Sequence, residues 1–244
     1  MKLGISESNH RKQQFEVLNF EIIECKECPR LVAYREEIGQ VRRKAYRDQE
    51  YWSKPVPGFG DINGRVMVVG LAPGAHGSNR TGRMFTGDDS GIFLYRALHR
   101  MGFANQPSSV NRNDGLVLED IFITAVCRCA PPDNKPTTIE KRTCLPYLVK
   151  EIKLLEHLEG IVALGRIGFE GVQEAFTHLG YPQNHLVFGH NRLYQLSEGL
   201  PWLLASYHPS RQNTQTGRLT ETMFDEVWAK VRDRLTTKPN HSAG

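Results

Sequence analysis

Four short apolar runs constrain the fold of this chain more than any other feature. They are Val66-Met67-Val68-Val69, Ile121-Phe122-Ile123-Thr124-Ala125-Val126, Gly160-Ile161-Val162-Ala163-Leu164 and Leu203-Leu204-Ala205-Ser206-Tyr207. Almost continuous apolar character over about five residues is the pattern of strands buried on both faces. Helical stretches alternate with them, at 91–101, at 137–155, where Leu145, Leu148, Ile152 and Leu155 recur at helical spacing, and at 168–179. Thr137, followed three residues on by Glu140, opens the second of these as a capping box. Strands alternating with helices predict an α/β fold with a parallel sheet covered on both faces. Further helices are predicted at 15–23, 31–38 and 220–235, and a hairpin joining 186–188 to 193–196 around Gly189-His190-Asn191. Residues 1–13 and 237–244 are polar and are expected to be disordered ends.

In open α/β sheets, sites form outside the carboxyl ends of the strands. Three polar loops fall there, at 70–91, 127–136 and 208–214. The first spans about twenty residues with little to bury, a length that is usually functional or disordered. It carries His76, Arg80, Arg83, Phe85 and Asp88, and predicts a binding loop, the alternative being a mobile surface loop. It lacks both G-x-G-x-x-G and the phosphate-loop lysine, so a nucleotide-binding enzyme is disfavoured. Segment 41–61 is basic, aromatic and then Pro/Gly-rich. It reads as an excursion over the surface before the first strand, with Arg42-Arg43-Lys44 a second candidate phosphate contact.

The 244 residues allow one large domain or two small ones, and 39% hydrophobic content supplies a core. A net charge of +4 is compatible with a polyanionic partner but too small to establish one. No apolar run of membrane-spanning length occurs and the first residues lack a secretory h-region, so a cytoplasmic chain without a membrane partner is expected. Five cysteines in such a chain point to metal binding or catalysis rather than disulfides. Cys25 and Cys28 form a C-x2-C pair, while Cys127, Cys129 and Cys144 are dispersed. That spacing suits a four-cysteine iron–sulfur cluster at least as well as zinc. Buried free thiols are the plainer reading. Spacing leaves open whether Cys127 or Cys129 is a ligand.

These pieces together resemble the uracil-DNA glycosylase superfamily, and within it family 5, the UDGb type. The resemblance rests on GLAP at 70–73, NRTGRMFTGD at 79–88, RCAPPDNKP at 128–136 and HPSRQNTQTGRLT at 208–220, with the Tyr51-Trp52 approach and the cysteine pattern. It implies one three-layer α/β/α domain with a four-stranded parallel central sheet. It implies a [4Fe–4S] cluster on Cys25, Cys28, Cys129 and Cys144, with Cys127 left over. It also implies a monomer that removes uracil, and other deaminated bases such as hypoxanthine, from DNA. Ala75 and His76 follow the first strand where other branches carry a polar Asp or Asn, and Ala125 stands where the family 4 branch carries a uracil-reading Asn. The polar work therefore shifts to Asp88, Asn134 and His208. Gln215 stands where many relatives carry an aromatic residue.

The chemistry requires the target nucleotide to leave the duplex and enter a pocket. Breaking the N-glycosidic bond puts positive charge on the sugar and negative charge on the base. His208, at a strand end before Pro209, is the candidate donor to the departing base, and Asn134 can read a base edge. Asp88 either favours the sugar cation or caps the helix that follows. Gly70, Ala72, Gly74, His76 and Phe85 are expected to line the base site, with Phe85 as the stacking surface or as a core anchor for its loop. Ser210 and Arg211 are expected to meet phosphate, and Arg211, Gln212 and Asn213 to fill the gap left by the flipped base. Lys135 is the only lysine in these motifs, so a Schiff-base lyase is not expected. The rival reading is a non-catalytic iron–sulfur module that binds nucleic acid.

Overall fold

The computed structural model describes residues 3–183 and 186–236. The chain forms α1 (Leu3–Ile23), α2 (Pro29–Val41), β1 (Phe59–Gly60), β2 (Val66–Gly70), α3 (Ser78–Thr81), α4 (Asp89–Arg100) and β3 (Ile121–Ala125). There follow α5 (Thr138–Leu154), β4 (Gly160–Leu164), α6 (Arg166–His178), β5 (Arg192–Tyr194), β6 (Trp202–Ser206), α7 (Arg211–Gln215) and α8 (Glu221–Thr236). Among the described residues one sheet has the order β1-β3-β2-β4-β6-β5. Its four inner strands are parallel, as the four apolar runs required, and the two short edge strands pair antiparallel.

Every residue of the four parallel strands is buried, and their alternation divides the core. Val66, Val68, Ile121, Ile123, Val162 and Leu204 face Leu94 of α4 and Phe224 and Trp228 of α8. Met67, Val69, Phe122, Ile161, Ala163 and Leu203 face Leu148 of α5 and Phe169 and Phe176 of α6. Each such large side chain contributes roughly 1.5–3 kcal/mol of burial. The layers hold the carboxyl ends of β2, β3, β4 and β6 at one edge, where the polar loops emerge.

Three expectations need correction. The sheet has two more strands than the four-stranded core, because the free edges of β3 and β6 each accept a short antiparallel partner. Residues 186–188 do not form one arm of a hairpin. β5 pairs with β6, Leu193 opposite Leu204, while Phe188 turns its ring onto Phe169 and Tyr207. Residues 3–13 are helical rather than disordered, and Arg11 is held by Asn63 and Glu156. Residues 1–2 and 237–244 of the expected disordered ends lie outside the described residues.

Candidate active site

The 70–91 loop is packed, not mobile. Ser78, Asn79, Arg80, Thr81, Arg83 and Thr86 are all buried. Burying so many polar groups is tolerable only where partners replace water, and here they do. Arg80 donates to the His76 carbonyl at 2.8 Å, the Gly87 carbonyl at 2.8 Å and Gln49 Oε1 at 2.5 Å, and stacks on Tyr46. Arg83 grips Asp114 with two bonds of 2.8 and 2.7 Å and reaches Ser109 and Thr86. Both arginines, suggested by the sequence as site groups, are internal braces. The 42–58 segment straps this loop down: the Trp52 and Ser53 amides donate to the Arg80 and Asn79 carbonyls at 2.9 and 3.0 Å.

Phe85, from the loop after β2, and His208, just after β6, meet beyond the carboxyl ends of the strands. Their rings stack 5.7 Å apart at 27°. Phe85 is 8% exposed and belongs to the core on the α4 side, so it anchors the loop. A Cβ on Gly70 would lie 2.8 Å from the Phe85 ring, so only glycine lets the ring settle on the β2 end. Phe85 has a φ of 51°, unusual for a bulky residue and costing about 1–3 kcal/mol, strain of the kind functional sites retain. Ala125, paired with Gly70, keeps the adjoining floor apolar.

His208 follows β6 and is fixed through its backbone. Asn213 donates Nδ2 to the His208 carbonyl at 2.8 Å, and Ser210 Oγ caps α7 by accepting from the Asn213 amide at 3.3 Å. His208 is half-buried, yet it sits deep enough that desolvation lowers its pKa to about 4. It is therefore a neutral imidazole at neutral pH.

Asp88 fills the capping role, one of the two left open by its sequence. Its Oδ1 accepts from the Gly91 amide at 2.9 Å and caps α4. Its Oδ2 lies over the 74–77 turn, where a Cβ on Gly77 would come within 2.0 Å of it. Burial raises the Asp88 pKa against the opposing backbone hydrogen bonds. The Gly74 carbonyl closes that turn by accepting the Gly77 and Asn79 amides. His76 joins the turn to the strap, its Nδ1 3.0 Å from Tyr51 Oη. Desolvation, with Arg43 and Arg80 nearby, lowers its pKa.

The remaining candidates are less central. Ala72 packs partly into the core on the α5 and α6 side. Arg211 is exposed and stands 3.7 Å from Asp89, bridging the starts of α7 and α4. Ser210 and Asn213 hold the turn together, which leaves Arg211 and Gln212 as its outward-facing groups. Asn134 lies exposed on the short turn Pro132–Asn134 with a φ of 55°. No described hydrogen bond joins its side chain to Asp88 or His208.

A second constellation lies behind the strap. Cys25, Cys28, Cys129 and Cys144 line one small cavity with Leu31, Arg128 and Tyr147. Cys127 is buried outside that lining. The capping box at the start of α5 positions Cys144, and Arg30 beside Cys28 grips the box residue Glu140 at 2.8 and 2.6 Å. N–H groups point at two sulfurs: Arg35 Nη1 lies 2.9 Å from Cys129 Sγ, and the Arg128 amide 3.3 Å from Cys144 Sγ. Burial pushes the Cys28 thiol up to about 11 and the Cys129 thiol up to about 12. Four soft donors around one cavity, with N–H groups directed at the sulfurs, fit a thiolate-held iron–sulfur cluster. Among the described residues no three His, Cys, Asp or Glu side chains gather closely enough to hold one metal ion.

Sequence reasoning missed Tyr51 as the partner of His76, Arg35 at the sulfurs, and Gly165. The last sits at the end of β4 with a φ of 88°, where a Cβ would press within 3.2 Å of His208 Cβ. The glycine ending a strand run was the available signal for it. Tyr51 was marked only as part of the Tyr51-Trp52 approach, with no sign of its contact to His76, and Arg35 had no signal beyond residue type.

Residues 57–232 match the Uracil DNA glycosylase superfamily. The chain is similar to a type-5 uracil-DNA glycosylase of Thermus thermophilus, 52% identical over 208 residues that cover 85% of this chain and 92% of that protein. A type-5 uracil-DNA glycosylase of Mycobacterium tuberculosis is 49% identical over 216 residues, 88% of this chain and 80% of that one. One of Pyrobaculum aerophilum is 44% identical over 209 residues, 84% and 87% of the respective chains.

Proposed function

The chain belongs to the uracil DNA glycosylase superfamily, with type-5 uracil-DNA glycosylases among its relatives, and on that premise we propose that it is a DNA-repair glycosylase that hydrolyses the N-glycosidic bond of uracil and leaves an abasic site. The observation that carries the chemistry is the neutral His208 stacked on Phe85, in the loop that also carries Asp88. An extruded base stacks against Phe85 and presents its edge to His208. As the bond to the sugar breaks, His208 donates a hydrogen bond, not a proton, to the base oxygen that gains negative charge. One such preorganised donor is worth roughly 3–4 kcal/mol. The Asp88 carboxylate, capping α4 with one oxygen, favours the cationic sugar or orients the attacking water with the other. His76, held by Tyr51, and the 70–74 backbone would flank the extruded base. Asn134 reads the base edge from its exposed turn once DNA is bound, and Arg211 with the Ser210 turn meets the flanking phosphates.

The substrate range extends to other deaminated bases such as hypoxanthine. Ala125 offers no amide to demand uracil's own hydrogen-bond pattern, and a site without such a demand discriminates weakly. Cys25, Cys28, Cys129 and Cys144 hold a [4Fe–4S] cluster, which when bound cross-links α2, the 127–136 loop and α5 through iron–thiolate bonds. The enzyme works as a monomer, because one chain supplies every group named above. Cysteines used to hold a cluster rather than to form disulfides support a reducing, cytoplasmic setting. No described helix is long and apolar enough to cross a membrane.

The test is incubation with duplexes containing uracil or hypoxanthine, scoring abasic sites by alkaline cleavage. Cleavage at both bases is expected. Binding to the uracil duplex without any base release would instead favour the non-catalytic iron–sulfur module.

A further inference from the structure

Arg35, in the middle of α2, is a buried cation with almost nothing to neutralise it. Its side chain is 3% exposed, and its nearest carboxylate oxygen, on the half-exposed Glu36, is 3.9 Å away. Its guanidinium instead turns inward. Nη1 lies 2.9 Å from Cys129 Sγ, both Nη atoms reach the Cys25 carbonyl at 3.5 Å, and Nε has no partner. A buried guanidinium without an anion is strongly destabilising. The arrangement therefore calls for negative charge on the cysteine side of the contact. The backbone of Arg35 is held as well: Asn79, fully buried in the catalytic loop, donates Nδ2 to the Arg35 carbonyl at 3.2 Å and its amide to the Gly74 carbonyl at 3.0 Å.

We infer that Arg35 is the buried counter-cation of the group held by the four cysteines, where it favours retention of that group and raises its reduction potential. The inference rests on the proposed iron–sulfur cluster. Reduction adds negative charge to the thiolate-held group, and a guanidinium in contact with one of the sulfurs stabilises the added electron. Arginine suits the place because its weakly hydrated planar fork is the cation most readily buried, whereas lysine keeps the charge but loses the fork.

The experiment compares the full-length protein with Arg35→Lys and Arg35→Gln. Iron and acid-labile sulfide are assayed, and the midpoint potential is measured by a dithionite titration followed by electron paramagnetic resonance. The rate of chelator-induced bleaching is measured alongside. Arg35→Gln is expected to make reduction at least tenfold less favourable, about 59 mV more negative for a one-electron couple, and to bleach faster, with Arg35→Lys closer to wild type on both. If Arg35→Gln does not retain the cluster, full loading of Arg35→Lys supports the charge role, and equal loss from both variants overturns it. A fully loaded Arg35→Gln with unchanged potential and bleaching also overturns it, while leaving the cluster proposal standing. A wild-type protein free of iron and sulfide overturns the cluster proposal and this inference together.

Discussion

Replacing His208 by asparagine should remove a measurable part of the acid sensitivity of the fold. In the unfolded chain a histidine binds its proton near pH 6.5. In the folded protein desolvation lowers the His208 pKa to about 4. Between these values the unfolded state binds more protons than the folded state, so stability falls as the pH falls through that window. The burden is negligible at pH 7.5, reaches about 2 kcal/mol at pH 5, and levels off at about 3 kcal/mol below pH 4. Urea unfolding of wild type and His208→Asn at pH 7.5 and pH 5 isolates the effect, because the other titrating groups cancel in the comparison. Wild type should lose about 2 kcal/mol more than the variant between the two conditions. Equal losses would mean that His208 is not held neutral by burial, and the argument for a neutral donor would fail with it.

Asp88→Asn should keep the α4 cap and the melting temperature while base release slows, whereas Asp88→Ala should also lose about 1 kcal/mol of stability; wild-type single-turnover rates in Asp88→Asn would remove Asp88 from the chemistry. Because burial raises the Asp88 pKa, the rate of the wild type should fall on acidification before an ordinary carboxylate, of pKa about 3.9, would protonate, and this limb should vanish in the residual rate of Asp88→Asn. Arg83→Ala strands Asp114, only 10% exposed, and should cost about 3–5 kcal/mol in urea unfolding; a loss below about 1 kcal/mol would show that the pair does not brace the loop. Cys129→Ser should abolish the iron–sulfur absorption and Cys127→Ser should leave it, and the reverse outcome would exchange their roles.

The parallel sheet was legible because strands buried on both faces leave uninterrupted apolar runs. Its edge strands were not: Phe59-Gly60 is too short to show a period, and Arg192–Tyr194 acquires its partner only when β6 offers a free edge in register. Asp88 was legible as a cap from its place before a helix, but the position of its second oxygen depends on a turn more than ten residues earlier. Arg80 and Arg83 stand in the loop whose composition predicts binding. They became braces because the strap and the 109–114 segment cover them, contacts that no local pattern encodes. Arg35, followed by Glu36 and Glu37, reads as part of a solvated helical face. Its burial follows from α2 lying over the cysteine cavity. Long-range polar contacts of this kind decide the site, and they carry no periodicity to read.

The most direct test of the central claim is the single-turnover release of free uracil from a uracil-containing duplex by wild type and His208→Asn, with duplex affinity measured on the same proteins. Because the His208 hydrogen bond strengthens as charge develops on the base, the variant should release uracil about 100- to 1,000-fold more slowly, with affinity little changed. Release by His208→Asn at the wild-type rate would contradict the assignment of the base-stabilising donor to His208.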